Sequence, residues 1–115
     1  MAFSDYQAER IRQKLQKSNL TEEKKMMGGL IFMVNYKMCI GLDIDKKTGQ
    51  DRLMVRLGKA SHDSLIFTKG SRLMDFTGSV MRGFLFIDPE GFDSDSDLDF
   101  WIAKALEFNQ EITKQ

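Results

Sequence analysis

The chain has 115 residues, of which 42% are apolar, 30% charged and 10% aromatic, with one proline. This composition suits one globular core and excludes collagen, low-complexity disorder and a disulfide scaffold. The 17 basic and 17 acidic residues cancel, and a net-neutral domain is a poor candidate for a non-specific nucleic-acid binder.

The cellular compartment is predicted from the absence of sequence patterns typical of membrane and secreted proteins. No apolar run approaches the roughly 18 residues of a membrane span, and the N-terminus MAFSDYQAER has no apolar segment of a signal peptide. Cys39 is the single cysteine, which fits a reducing compartment. We therefore expect a cytoplasmic protein with no membrane contact.

The first half of the chain predicts a helix followed by three strands. The helix runs from about Asp5 to Lys17, because Ser4 and Gln7 form a capping-box pattern, and residues 19–23 then turn the chain. The strands cover residues 29–34, 37–42 and 52–57. Asn35 and Tyr36 form a tight hairpin turn, and residues 43–51 form a longer loop.

The second half predicts a short helix, two strands and a last helix. These cover residues 59–67, 72–76, 83–87 and 97–111. Ser96 and Asp99 form a capping-box pattern, Ser-x-x-Asp, at the start of the last helix. The resulting order, α-β(3)-α-β(2)-α, has short strand connections and no βαβ alternation. It predicts an α+β two-layer domain in which a five-stranded, mainly antiparallel sheet carries helices on one face.

Several strands are apolar on both faces. In residues 29–34, Leu30, Phe32 and Val34 point one way, whereas Ile31 and Met33 point the other. A half-solvated antiparallel sheet would show polar residues on one side. We therefore expect the second face to be covered by a helix of the same chain, by a second copy or by another protein.

The charges divide unevenly along the chain. Residues 1–60 carry 12 Lys/Arg against 7 Asp/Glu, and residues 61–115 carry 5 against 10. The halves either attract each other within one fold or present a basic surface to an acidic partner. That surface would use a stripe of first-half cations: Arg10, Lys14, Lys17, Lys24 and Lys25.

No combination of residues predicts catalysis or a metal site. His62 is the only histidine, and we expect it on the surface of a helix. Cys39 is expected to be a small apolar filler. The alternating aspartates 93, 95, 97 and 99 lack the glycine and glutamate of a calcium loop, so they indicate an acidic helix start.

Several motifs together resemble one known family. Lys24-Lys25-Met26-Met27-Gly28-Gly29-Leu30 is similar to the Lys-Met-Phe-Gly-Gly signature of the TfoX/Sxy N-terminal domain family. Asn35-Tyr36-Lys37-Met38 resembles its Asn-Gly-Lys-Met hairpin, with Tyr36 in place of the usual glycine. Residues 53–56 resemble its third strand. Its most distinctive segment is similar to residues 74–78 and 82–84, and its last helix is similar to residues 98–108. The resemblance covers about residues 10–109.

The resemblance implies a secretion-chaperone-like or YjbR-like fold over a single domain, residues 1–115, of a bacterial cytoplasmic protein. Founding members of the family regulate natural competence. They resemble co-activators that work with the cyclic-AMP receptor protein, and they are not known as enzymes. Those regulators carry a second, C-terminal domain, whereas the resemblance found here is to their first domain.

The first hypothesis is therefore a non-enzymatic protein-interaction module that regulates transcription through a protein partner. It uses no cofactor, and its contact surface is expected to include Lys24, Lys25, Met27 and Arg82. The alternatives are direct DNA binding through the basic first half and a small-ligand protein or enzyme with a cleft between sheet and helices. A homodimer is compatible with the first two hypotheses.

Overall fold

A computed structural model describes residues 2–76 and 78–114. Met1, Thr77 of the Met74–Gly78 motif and Gln115 lie outside the described residues. The helices are α1 (Asp5–Lys14), α2 (Gly58–Leu65) and α3 (Asp95–Thr113), and a single 3-10 turn covers Pro89–Gly91. The strands are β1 (Leu20–Met26), β2 (Gly29–Val34), β3 (Lys37–Ile44), β4 (Asp51–Arg56), β5 (Ser71–Phe76) and β6 (Ser79–Ile87).

The strands form one antiparallel sheet in the order β1-β2-β3-β4-β6-β5. This sheet has six strands, so the prediction of five strands was wrong. The missed strand is β1, which begins inside the segment 19–23 that was expected to turn the chain and continues to Met26. It pairs with β2 from Leu20 opposite Val34 to Met26 opposite Gly29 and forms one edge of the sheet.

Two hairpins have two-residue turns with left-handed backbone. Met27 and Gly28 have φ of 56° and 75°, and Asn35 and Tyr36 have φ of 53° and 63°. Positive φ at both central residues is what a type I′ turn requires. The predicted tight hairpin at Asn35-Tyr36 is confirmed. Tyr36 adopts the backbone that favours glycine, and its side chain is 82% exposed.

Helices α1, α2 and α3 pack on one face of the sheet and enclose the main core. Ala8 and Ile11 of α1 and Trp101 of α3 are buried there with alternate residues of the strands. The indole Nε1 of Trp101 donates to the carbonyl of Gly91 at 3.0 Å, which satisfies its polar atom inside the core. The two-layer arrangement with helices on one face is thereby confirmed.

The helix ends differ from the predicted ones. Ser4 caps α1 as expected, accepting from the Gln7 amide at 3.4 Å. The helix ends at Lys14 because the Leu15 amide is shared between the carbonyls of Ile11 and Arg12, and the Gln16 amide bonds three residues back, to Gln13. Ser94, not Ser96, caps α3, accepting from the Asp97 amide at 3.2 Å. Both serines fit the Ser-x-x-Asp pattern, so the pattern alone could not choose between them.

Candidate interaction surfaces

The sheet face opposite the helices carries a second apolar cluster, which we call the methionine face. Its buried members are Ile31, Met54, Met74 and Phe86, and its half-buried members are Met27, Met33, Met38, Met81 and Phe84. Within residues 2–76 and 78–114, no helical residue belongs to it. In the described part of the chain, no helix therefore covers the methionine face. That a second copy or another protein covers it remains a prediction.

Arginine side chains shield the centre of the methionine face. The guanidinium carbon of Arg52 lies 3.6 Å from the ring centroid of Phe86, and that of Arg72 lies 5.8 Å from it. Guanidinium groups stack favourably on aromatic faces because the ring carries negative charge on its face. This stacking explains how Phe86 is only 3% exposed on a face that no described helix covers.

A chain of ion pairs holds these arginines in place. Arg52 binds both carboxylate oxygens of Asp43, at 3.0 and 2.8 Å, and Arg72 joins Asp45 at 3.2 Å to Asp88 at 2.6 Å. Asp43 and Asp45 are buried, so their charges need these partners. The amide of Lys47 donates to Asp45 and, with the two arginines, holds the pKa of that carboxyl below its usual range.

Two of the four residues expected to bind a partner lie at one corner of the methionine face. Lys24 is exposed and stands opposite Ile31, whose side chain is in the methionine face. Met27 packs against the same cluster. Directly paired residues of antiparallel strands share a face, so Lys24 borders the methionines.

The other two expected contact residues lie elsewhere. Lys25 is exposed and stands opposite Leu30, which belongs to the core beneath the helices. Arg82 lies on β6, four strand positions from β1, and pairs with Asp63 at 3.1 Å. The structure does not bring these four residues into one surface, and their role in binding stays a prediction.

Part of the predicted basic stripe is used within the fold. Arg10 donates to the carbonyl of Asp93 at 3.1 Å and approaches Asp95 at 3.5 Å, and Lys14 bonds to Asp99 at 2.7 Å. The basic α1 thus faces the acidic start of α3, which supports attraction between the two halves of the chain. In the described part, Lys17, Lys24 and Lys25 have no carboxylate within 4.0 Å.

The single cysteine and the single histidine are both buried. Cys39 is 1% exposed, and burial raises the pKa of its thiol to about 12, so its prediction as an apolar filler is confirmed. His62 is 4% exposed, so its prediction as a surface residue was wrong: α2 packs against β6 with His62 turned inward. Its Nδ1 lies 3.3 Å from Asp63. The hydrogen bond with His62, followed by nearby Arg82, holds the pKa of Asp63 below its usual range.

The arginines of the methionine face were missed in the sequence, although a signal was present. Arg52, Met54 and Arg56 alternate in β4, and period two places them on one face. Their ring contacts, however, involve β6 and α3. Among the described residues, no group of three or more histidine, cysteine or carboxylate side chains is placed to hold a metal ion.

The fold and this surface define an α+β domain whose six-stranded sheet is packed by helices on one face and by methionine and arginine side chains on the other. The model of the TfoX N-terminal domain matches residues 13–109, and the chain belongs to that family. The family is linked in general to competence regulation. Neither the curated proteins nor the solved structures that were compared gave a match. No helix in the described ranges is long and apolar enough to cross a membrane.

Proposed function

We propose that this protein is a non-enzymatic interaction module that co-regulates transcription in the bacterial cytoplasm by binding a protein partner. The partner docks on the methionine face at the corner formed by Lys24 and Met27. Membership of the TfoX N-terminal domain family supports a regulatory role. By resemblance to the competence regulators, the partner belongs to the transcription machinery, with the cyclic-AMP receptor protein as the first candidate.

The observation that carries this proposal is the composition of the methionine face. Six of its nine members are methionines, and four of those, with Phe84, are only half-buried. Methionine is unbranched and polarizable, so such a surface can repack around the apolar side chains of a partner. The adjacent Lys24 has no carboxylate within 4.0 Å in the described part, and it would attract an acidic group at the rim of that partner.

The chain supplies a matched pair of variants for the test. Lys24→Glu and Lys25→Glu reverse the same charge at adjacent, exposed positions of the same edge strand, but on opposite faces of the sheet. Each variant would be tagged and used to capture partners from lysate of the native cell after nuclease treatment. The captured protein would then be purified and its affinity for each variant measured.

A partner of the transcription machinery is expected to survive the nuclease and to lose affinity about tenfold, or 1.4 kcal/mol, with Lys24→Glu. Lys25→Glu is expected to bind as the natural protein does. Equal binding by both variants would place the contact away from the methionine face. Loss of every partner on nuclease treatment would favour direct DNA binding instead.

A further inference from the structure

A cationic cleft of about 450 Å³ opens where β4, α2, β6 and α3 meet. Three cations and two aromatic rings line it, namely Arg56, Lys59, Arg82, Phe84 and Phe108, and no carboxylate is among the lining residues. Its volume lies within the roughly 300–1,000 Å³ of small-molecule sites. The cleft is separate from the corner of Lys24 and Met27, because β1 and β6 are four strand positions apart.

The guanidinium of Arg56 lies over both aromatic rings. Its guanidinium carbon lies 5.7 Å from the ring centroid of Phe84 and 5.6 Å from that of Phe108. Nη1 donates to the carbonyl of Met38 at 3.4 Å, which fixes the group further. A guanidinium held in this way loses less conformational entropy when it binds an anion.

The positive charge in the cleft exceeds the negative charge near it. In residues 2–76 and 78–114, neither Arg56 nor Lys59 has a carboxylate within 4.0 Å. Arg82 pairs with Asp63 at 3.1 Å, but both side chains are largely exposed, 57% and 71%, so that pair is weak and open to exchange. The cleft lining thus carries three cations, and the one carboxylate paired with them, Asp63, lies outside the lining.

Backbone donors add to this charge. Gly58 and Lys59 begin α2 in the lining of the cleft, and no side chain caps that end of the helix in the described part. The first N–H groups of a helix have no partner within it, and they favour anions. Gly58 has φ of +80°, and a Cβ there would collide with the ring of Phe108, so glycine allows the ring to rest against the start of the helix.

From these contacts we infer that the cleft binds a phosphomonoester of a small aromatic molecule. The phosphate would take hydrogen bonds from Arg56, Arg82 and the start of α2, with Lys59 adding charge. A phosphate offers three acceptor oxygens and close to two negative charges, which suits this number of donors better than a carboxylate does. The flat part of the molecule would lie against Phe84 and Phe108.

The test uses phenyl phosphate as the probe, titrated calorimetrically at about 0.15 M salt to suppress weak surface attraction. Saturable 1:1 binding is expected, with weaker binding of inorganic phosphate because it lacks the ring. Lys59→Glu is expected to lower the affinity for phenyl phosphate at least tenfold. This variant should fold, since Lys59 is exposed and a glutamate in the first turn favours the helix.

Lys25→Glu is the matched control, with the same charge change on the edge strand β1, four strand positions from β6, and it is expected to bind phenyl phosphate unchanged. The absence of saturable binding would overturn the inference, as would equal affinities of Lys59→Glu and Lys25→Glu. Displacement of phenyl phosphate by short duplex DNA at the same salt would also overturn it and assign the cleft to a nucleic-acid backbone. The result does not depend on the proposed protein partner, which is tested at Lys24.

Discussion

Arg52→Met is expected to destabilise the fold strongly, because Arg52 is the main charge partner of a buried carboxylate. Asp43 is 4% exposed, and both of its oxygens bind Arg52. Removing one partner of a buried ion pair costs about 3–5 kcal/mol. For 115 residues, with an unfolding entropy of about 240 cal/mol/K, Tm should fall by about 12–20 °C. Urea unfolding would measure the loss in free energy of unfolding, and thermal unfolding would measure the fall in Tm.

Two further variants separate the buried charge from simple loss of packing. Asp43→Asn combined with Arg52→Met removes the unpaired charge, so the double variant should recover about 1–3 kcal/mol relative to Arg52→Met alone. Arg82→Met removes an arginine from an exposed pair and should cost less than about 1 kcal/mol. The reasoning fails if Arg52→Met costs no more than Arg82→Met, or if the double variant is no more stable than Arg52→Met.

Three other outcomes follow from the described residues. Tyr36→Gly should raise the stability by about 0.5–1 kcal/mol, since it relieves a positive φ at an exposed side chain; a lower urea midpoint would contradict this. Cys39 should react with a thiol reagent only as fast as the native fold opens, so fast labelling of the folded protein at pH 8 would contradict its burial. Glu23 bonds Arg12 at 2.7 Å, and this bond lowers the pKa of its carboxyl. The stability that this bond gives is fully present above the unfolded pKa of about 4.3 and is lost as pH falls through the lower pKa of the folded state. The natural protein should therefore be more stable than Glu23→Gln at neutral pH, and this stability difference should shrink in acid. A difference that stays constant between pH 6 and pH 2 would contradict the prediction.

The missed strand shows what a search for apolar periodicity detects. The strand β2 was placed correctly because it is apolar along its length, whereas β1 reads LTEEKKM and is exposed at four of its seven positions. Edge strands are protected from unwanted pairing by charged side chains. The charges that protect β1 also removed the pattern that would have predicted it.

The candidate sites were predicted only as far as local pattern reaches. Because β2 is apolar along its length and successive side chains point to opposite faces, it predicted a second apolar face with Ile31 and Met33, and the structure confirms that face. The stacking of Arg52 on Phe86 and the cleft at Arg56 depend on which strands are neighbours, because β4 pairs with β6 across an intervening helix and strand. Long-range pairing of this kind leaves no periodic signal in one sequence. His62 was wrongly expected on the surface for the same reason, because its burial depends on the packing of α2 against β6.

Site-specific photocrosslinking tests the central claim most directly. A photoreactive amino acid at position 24, beside the methionine face, would be compared in cells with one at position 104 on α3, on the other face of the sheet. The account predicts that position 24 crosslinks to a protein of the transcription machinery and that position 104 does not. Equal crosslinking from both positions, crosslinking from position 104 alone, or crosslinks from position 24 only to copies of this chain would contradict it.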